Sequence, residues 1–443
     1  VIEEPVAGPS PASADPPAGS SEPYPIRIFL LQLLITGIGV TAIQAARPMV
    51  TYRAIGLGAG PVEIGLVQSA FSIIPVFTAV AIGRWVDRLG EVRILAFGMT
   101  MISVGGIVLA MSGSLLVLAI GQCVIGLGEI THIVSSQALV ANRGPRDRRE
   151  HRYGTYSMVV SLGQLAGPAI GALLVGGTAG LTAIGAVGAF GWLPGANAET
   201  PVFLFTSLAA GVAFVLALFL PHHRPRRPEP ALVTAPVPNL GHAAWLILRR
   251  PGMAAAMFVS IAVISAVDVL VAYLPAYGQA SGLGVETVGA LLSVRAGSSL
   301  VSRIFMGRLI DTLGREKILF LSTALAGGAI LLLPFVGSTP ALFGLMILIG
   351  AGLGLGQPMT LAWVANRSPR QDRGMALGVR LTGNRLGLLI TPIVMGVLAG
   401  AAGITAIFVV LAGFLGIGSF VARRTPFDDL AAGPPSAAPS RSP

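Results

Sequence analysis

Gly83-Arg84-Trp85-Val86-Asp87-Arg88-Leu89-Gly90 returns as Gly307-Arg308-Leu309-Ile310-Asp311-Thr312-Leu313-Gly314, 224 positions later. The same offset carries Ala141-Asn142-Arg143-Gly144-Pro145-Arg146 onto Ala365-Asn366-Arg367-Ser368-Pro369-Arg370. It carries Gly126 and Gly128 onto Gly350 and Gly352, and Gly163 and Pro168 onto Gly387 and Pro392. A single gapless offset that serves four separate places marks a duplicated unit.

The residues around these copies are apolar. Hydrophobic types make up 53% of the 443 residues, and only 11% are Asp, Glu, Lys or Arg. A soluble domain carries about a quarter charged residues. Most of this chain therefore has no water to face. About 20 apolar residues at 1.5 Å rise cross the 30 Å hydrocarbon core of a bilayer. Twelve such spans are expected, near 27–52, 61–83, 93–112, 115–140, 153–177, 201–221, 252–277, 285–306, 316–336, 340–364, 375–399 and 403–422. The expected fold is an all-α membrane protein of two pseudo-symmetric six-helix bundles, 25–221 and 251–424. An axis along the membrane normal relates them, with a cavity between. A Pro-rich basic linker at 222–250 joins them. Tails rich in Pro, Ala and Ser at 1–24 and 425–443 read as disordered. The Gly/Ala-rich segment 178–200 fits a loop or a re-entrant piece. No secretory signal peptide is expected, and the start at Val1 leaves room for residues upstream.

A net charge of +10 would point a soluble protein to nucleic acid. Here it is a signal of topology. Basic loops stay cytoplasmic. With both termini inside, 22 of the 29 Lys and Arg fall on the inner side, and the short outer loops hold only Arg53. The opposite orientation inverts that bias. A multi-pass protein of the cell membrane with both termini cytoplasmic follows, and no nucleic-acid partner is expected. The one cysteine, Cys123, rules out an intramolecular disulfide and a cysteine metal cage.

Gly-x-x-x-Asp-Arg-x-Gly between the second and third spans resembles the signature loop of the major facilitator superfamily. Gly83, Asp87, Arg88 and Gly90 carry it, and Gly307, Asp311, Gly314 and Arg315 repeat it between the eighth and ninth spans. The resemblance implies that these loops act as conformational switches that hold the cytoplasmic side closed in one state. The first copy departs from the pattern, with Glu91 and Val92 where bases are usual and Arg93 one place later. In the fifth span Gly163, Gly167, Pro168 and Gly171 are similar to the motif of proton-driven exporters in that family. Glycines allow close helix contact and the proline bends the helix. A generic packing face reads the same way. In the fourth span Gln122 stands where exporters often have an arginine linked to proton coupling.

Ionisable groups at membrane depth cost roughly 2.5–3.5 kcal/mol each on insertion scales and mark function by default. Two acids lie deep, Glu129 and Asp268, against four arginines, Arg47, Arg295, Arg380 and Arg385. Arg303, one turn before Gly307, is placed to snorkel to the cytoplasmic surface. Gln122, Glu129 and Ser136 share a face, with His132 one turn from Glu129. Gln44 and Arg47 share another. Arg380 and Asn384 share a face, while Arg385 points about 140° away from Arg380. Arg380 lies nearer the cytoplasmic end and could also snorkel. Glu129 and Asp268 are candidate proton carriers, with His132 a candidate relay. The competing reading of Glu129 is a structural ion pair with Arg47 or another base, and Asp268 faces the same choice. Gln44, Arg47, Gln122, Arg295, Arg380, Asn384 and Arg385 are candidates for lining the substrate cavity.

The leading expectation is secondary transport by alternating access, with proton-coupled export of a small organic molecule. The surplus of arginines would suit an anion, and arginines on the eighth and eleventh spans resemble the arrangement in family members that carry organic anions. Uptake or exchange of an organic anion is the alternative within transport. A ligand-binding sensor without flux is the alternative from another class. No nucleotide loop, metal cluster or nucleophile motif occurs, so an enzyme, a metal and a cofactor are not expected. The expected partners are the substrate, protons and lipid, with a monomer as the default.

Overall fold

The structure is a computed structural model that describes residues 25–143, 149–183, 197–221, 245–368 and 373–425. The expected tails, apart from Thr425, lie outside the described residues. So do the parts of the repeated Asn-Arg loops beyond Arg143 and Ser368, most of the 222–250 linker, and 184–196.

Every long element among the described residues is a helix. In order they are α1 (Ile26–Gly56), α2 (Pro61–Leu89), α3 (Glu91–Ala110), α4 (Leu115–Asn142), α5 (Arg149–Ala183), α6 (Thr200–Leu218), α7 (Met253–Ala280), α8 (Val285–Ile304), α9 (Arg315–Leu332), α10 (Thr339–Asn366), α11 (Arg373–Ala402) and α12 (Thr405–Arg424). Eleven are long and apolar enough to cross a membrane. A twelfth span is made if α8 is joined to the short helix Met306–Leu313 across a 58° bend. Phe77, Leu116, Leu173, Leu208, Phe219 and Phe335 are each at least 68% exposed. Such a surface would aggregate in water but suits lipid. The chain is a multi-pass membrane protein.

Two expectations about boundaries need correction. The 83–90 and 307–314 segments were expected as loops, but both are helical up to Leu89 and Leu313. Each helix stops only at the closing glycine, where Gly90 has φ 92° and Gly314 φ 78°. That backbone conformation is open to glycine and strained for other residues. The fifth span was expected to end near 177, but α5 runs on to Ala183. The first residues of the 178–200 segment are therefore ordinary helix.

The duplication reappears as duplicated contacts. A Cβ on Gly126 would lie 1.9 Å from the Phe71 carbonyl oxygen, and one on Gly350 would lie 2.1 Å from that of Arg295. Gly128 faces Gly98 and Ile102, and Gly352 faces Ser322 and Ala326. All of these pairs differ by the same 224 positions. The glycines let α4 touch α2 and α3 backbone to backbone, and let α10 do the same with α8 and α9.

Contacts between α1–α6 and α7–α12 run mainly through α1 with α7, α2 with α11, and α5 with α8, with smaller ones between α2 and α7 and between α4 and α11. They gather toward the end of the molecule away from Gly90 and Gly314. There the Tyr273 hydroxyl donates to the Pro392 carbonyl at 2.7 Å, with the Pro61 carbonyl at 3.3 Å. Thr51 donates to the Ala272 carbonyl at 2.7 Å. A Cβ on Gly65 would lie 2.4 Å from the Pro392 oxygen, and one on Gly289 would lie 2.3 Å from the Ala172 Cβ. At the opposite end Asp87, Arg88 and Asp311 are exposed. Neither aspartate forms an ion pair among the described residues.

Candidate substrate and coupling site

Both deep acids are held by deep arginines, and both pairs cross between the two helix sets. Arg47 on α1 pairs with Asp268 on α7, and the two side chains are 11% and 6% exposed. The Arg47 guanidinium also lies over the Phe71 ring, 4.6 Å from its centroid. Arg385 on α11 donates to Glu129 on α4 at 3.0 Å. Of the four side chains, Glu129 is the most open, at 20% exposed. Of the bases open to Glu129, Arg47 or another, the partner is Arg385. Arg47 lies nearer the sealed end of α1, and Asp268 is the acid that α7 brings to it.

A chain of neutral hydrogen bonds runs beside the first pair. Gln122 Nε2 donates to Gln68 Oε1 at 3.3 Å, and Gln68 Nε2 donates to Thr51 Oγ1 at 2.8 Å. Thr51 then reaches across to Ala272. Gln122 therefore continues a polar contact from α4 to the opposite helix set. Gln68 and Thr51 escaped sequence reasoning. The usable signal was an amide within an otherwise apolar span.

Arg380 does not snorkel. Its Nη2 donates to the Gln357 carbonyl at 3.1 Å, to Gln357 Oε1 at 2.7 Å and to Thr360 Oγ1 at 3.1 Å. Asn384 joins the same group, accepting from Ser260 at 2.9 Å. Arg380 and Asn384 thus share a face, as the helical spacing requires, and Arg385 leaves on another. Gln357, Ser260 and Thr360 were also missed, because small polar groups in apolar spans read as packing. Arg303 turns inward rather than to the surface. Its Nε donates to the Gly354 carbonyl at 3.0 Å and its Nη1 to Ser161 of α5 at 3.1 Å. Buried carbonyl and hydroxyl acceptors attract it away from the helix end.

Arg295 is buried, at 5% exposed. It forms no hydrogen bond or ion pair among the described residues, and its Nε is a buried donor without an acceptor. His132 is fully buried, with neither ring nitrogen bonded, so it makes no hydrogen bond to Glu129. Its ring points from α4 toward Gly39 of α1, while its backbone nitrogen faces Gly98 of α3. Gln44 is half-buried and its Cβ is the nearest atom to Gly167. Gly163, Gly167 and Gly171 seat α5 on α1 between Val40 and Ala45, while the Pro168 carbonyl faces Gly289 of α8. The fifth-span motif therefore touches both helix sets.

Beyond the spans, burial raises the Glu199 carboxyl above its ordinary pKa, and nearby Arg53 partly offsets this. Among the described residues no group of three or more His, Cys, Asp or Glu is placed to hold a metal ion.

The family model of the Major Facilitator Superfamily matches residues 29–297 and 279–439. The chain belongs to the major facilitator superfamily. Members of this superfamily are transporters, and this one has the fold of a secondary transporter that works by alternating access. It is 27% identical over 365 residues to the multidrug resistance protein MdtG of Dickeya zeae, covering 79% of this chain and 82% of that protein. Its fold matches the inward-facing, unoccupied structure of a bacterial homolog of the human lysosomal transporter Spinster, with a TM-score of 0.71 and 15% identity over 91% of this chain and 97% of the other. The human organic anion transporter TETRAN matches with a TM-score of 0.63 and 17% identity, over 90% of this chain and all of the other. In this superfamily member the first signature's unusual Glu91 has a partner. It accepts from Asn142 at 3.0 Å and lies 3.8 Å from Arg143. The departure from the pattern thus ties α3 to the end of α4.

Proposed function

We propose that this superfamily member is a proton-coupled secondary transporter that exports a small organic molecule. On this reading twelve spans form two six-helix bundles, 25–221 and 251–424, with both termini in the cytoplasm and the monomer as the working unit. The sealed end then faces outward and the state is inward-open. Asp87 and Asp311, exposed and without an ion pair among the described residues, agree with that, because the signature segments belong to the cytoplasmic closure.

The observation that carries the proposal is the pair of ion bridges across the halves, Arg47–Asp268 and Arg385–Glu129. A rocking motion that opens the sealed end must separate Arg47 from Asp268. A bare buried carboxylate is costly, so the acid parts from its arginine most easily when a proton takes the arginine's place. The same exchange at Glu129 couples proton uptake to movement. Glu129 is the more accessible acid and is the first proton acceptor from the inner side. The likeness to a multidrug resistance protein and the glycine motif on α5 support export over uptake.

The test is a metabolite screen in proteoliposomes and everted vesicles, with and without a pH gradient. Export predicts that at least one small organic compound accumulates in everted vesicles only when the gradient is present. Glu129→Gln is expected to keep binding of that compound and to lose the response to the gradient. Gradient-driven flux that is unchanged in Glu129→Gln would sink the coupling role. Binding without any flux would point to a sensor.

A further inference from the structure

We propose that Arg295 is the docking point for an anionic group of the transported molecule, a carboxylate, sulfonate or phosphate oxyanion. This rests on the transport reading, and it narrows that reading from a small organic molecule to an anion.

The site emerges from the fates of the other deep charges. Arg47 and Arg385 are neutralised by Asp268 and Glu129. Arg380 and Arg303 are held by neutral carbonyl, amide and hydroxyl oxygens. Arg295 has neither kind of partner among the described residues. The charged group that acts on it is another cation, Arg303. A guanidinium is always charged, so it cannot escape the cost of burial by losing its proton. An unpaired one at membrane depth is expensive and is retained where something binds it.

The α8–α10 crossing uses the backbone carbonyl of Arg295, which Gly350 approaches, and not its guanidinium. Its position in the repeat matters too. The equivalent residue in the first half is Phe71, whose ring lies under Arg47 at the junction of the halves. The repeat thus puts a cation on α8 at the level where α2 has an apolar ring. Ser299, one turn further along α8 and also buried, adds a hydroxyl on the same face. The guanidinium fork matches two oxygens of a carboxylate, sulfonate or phosphate. A cationic substrate would find both deep acids already taken by arginine.

The test uses the full chain in nanodiscs. The probes are benzoate, benzenesulfonate and phenyl phosphate, with neutral benzamide as the control. At least one anion is expected to raise the melting temperature of the wild type in a saturable way, and benzamide is not. Arg295→Gln is expected to weaken that anion's binding at least about tenfold, the loss of a charge-assisted hydrogen bond. Arg295→Lys should fall between the two. Without any anion, Arg295→Gln should melt at or above the wild-type temperature, because it removes a buried charge that has no partner. Three results overturn the proposal: no anion stabilises the wild type, the anion binds Arg295→Gln unchanged, or ligand-free Arg295→Gln melts lower. If Arg295→Gln loses anion binding but the wild type gives no flux in proteoliposomes, the transport reading fails and the site stands. Gradient-driven flux that ignores Arg295→Gln fails the site and leaves transport standing.

Discussion

At the scale of single residues, the two ion pairs decide how the interior is charged. Asp268 is nearly dry, Glu129 is partly open, and each faces one arginine. Removing one partner of a buried pair strands the other and costs about 3–5 kcal/mol, whereas replacing both partners by neutral groups can be nearly neutral. We therefore expect Arg47→Gln and Asp268→Asn each to lower the melting temperature clearly. The double variant should be less damaged than either single one. A double-mutant cycle on protein in nanodiscs checks this, and strictly additive losses would sink the pair as an energetic unit. The acids and arginines themselves were legible in the sequence, because a charge in an apolar span stands out. Their pairing was not. The sequence leaves Glu129 open to Arg47 or another base; the partner is Arg385, and the choice depends on how two helix sets separated by the 222–244 segment face each other. Gln68 and Gln357 did leave a trace, an amide in an apolar span, but it does not say which partner satisfies the amide. Thr51 left less, since a hydroxyl can bond a carbonyl of its own helix and so need not mark a site.

At the scale of helices, the repeat was the most legible feature. The glycines aligned by an offset of 224 make equivalent crossings in the two halves, down to the facing backbone atoms. Helix ends were less legible, since nothing in the charged 83–90 and 307–314 segments forbids helix until a glycine with positive φ ends it. The crossings give a direct prediction. At Gly126 and Gly350 an added methyl would meet a backbone carbonyl oxygen, which cannot rotate away as a side chain can. Gly126→Ala and Gly350→Ala should each cost about 1–3 kcal/mol of stability, the range for overpacking. Gly413→Ala on α12, where a Cβ meets nothing within 4 Å, should melt at or above the wild type. Thermal unfolding of the three purified variants is the check. Equal behaviour of all three would mean that helix propensity, not contact between backbones, sets their effect.

At the scale of the whole molecule, the cross-set contacts make a lever with one end fastened. Tyr273 is the central fastening. It is fully buried on α7, and its hydroxyl lies between the Pro392 carbonyl of α11 and the Pro61 carbonyl that starts α2. Gly65 and Gly396 on those two helices leave room for it, since a Cβ on either would lie 2.7 Å from the hydroxyl oxygen. One hydroxyl thus bonds three helices only while that end is closed. Hydrogen bonds inside membrane proteins contribute about 0.6–1.5 kcal/mol. Tyr273→Phe should therefore favour opening of that end by roughly three- to tenfold in population, without changing any charge. Spin labels at Gly56→Cys and Ser281→Cys, on a Cys123→Ala background, report the gap at the fastened end. Labels at Arg88→Cys and Thr312→Cys report the other end. All four positions are exposed. The longer distance should gain weight at the fastened end and the shorter distance at the other, because rigid halves that part at one end approach at the other. Gain at one end alone would mean that the halves bend rather than rock. Unchanged distances at both ends would show that the close approaches of Gly65 to Pro392 and of Gly289 to Ala172, and not the Tyr273 hydroxyl, hold the closure.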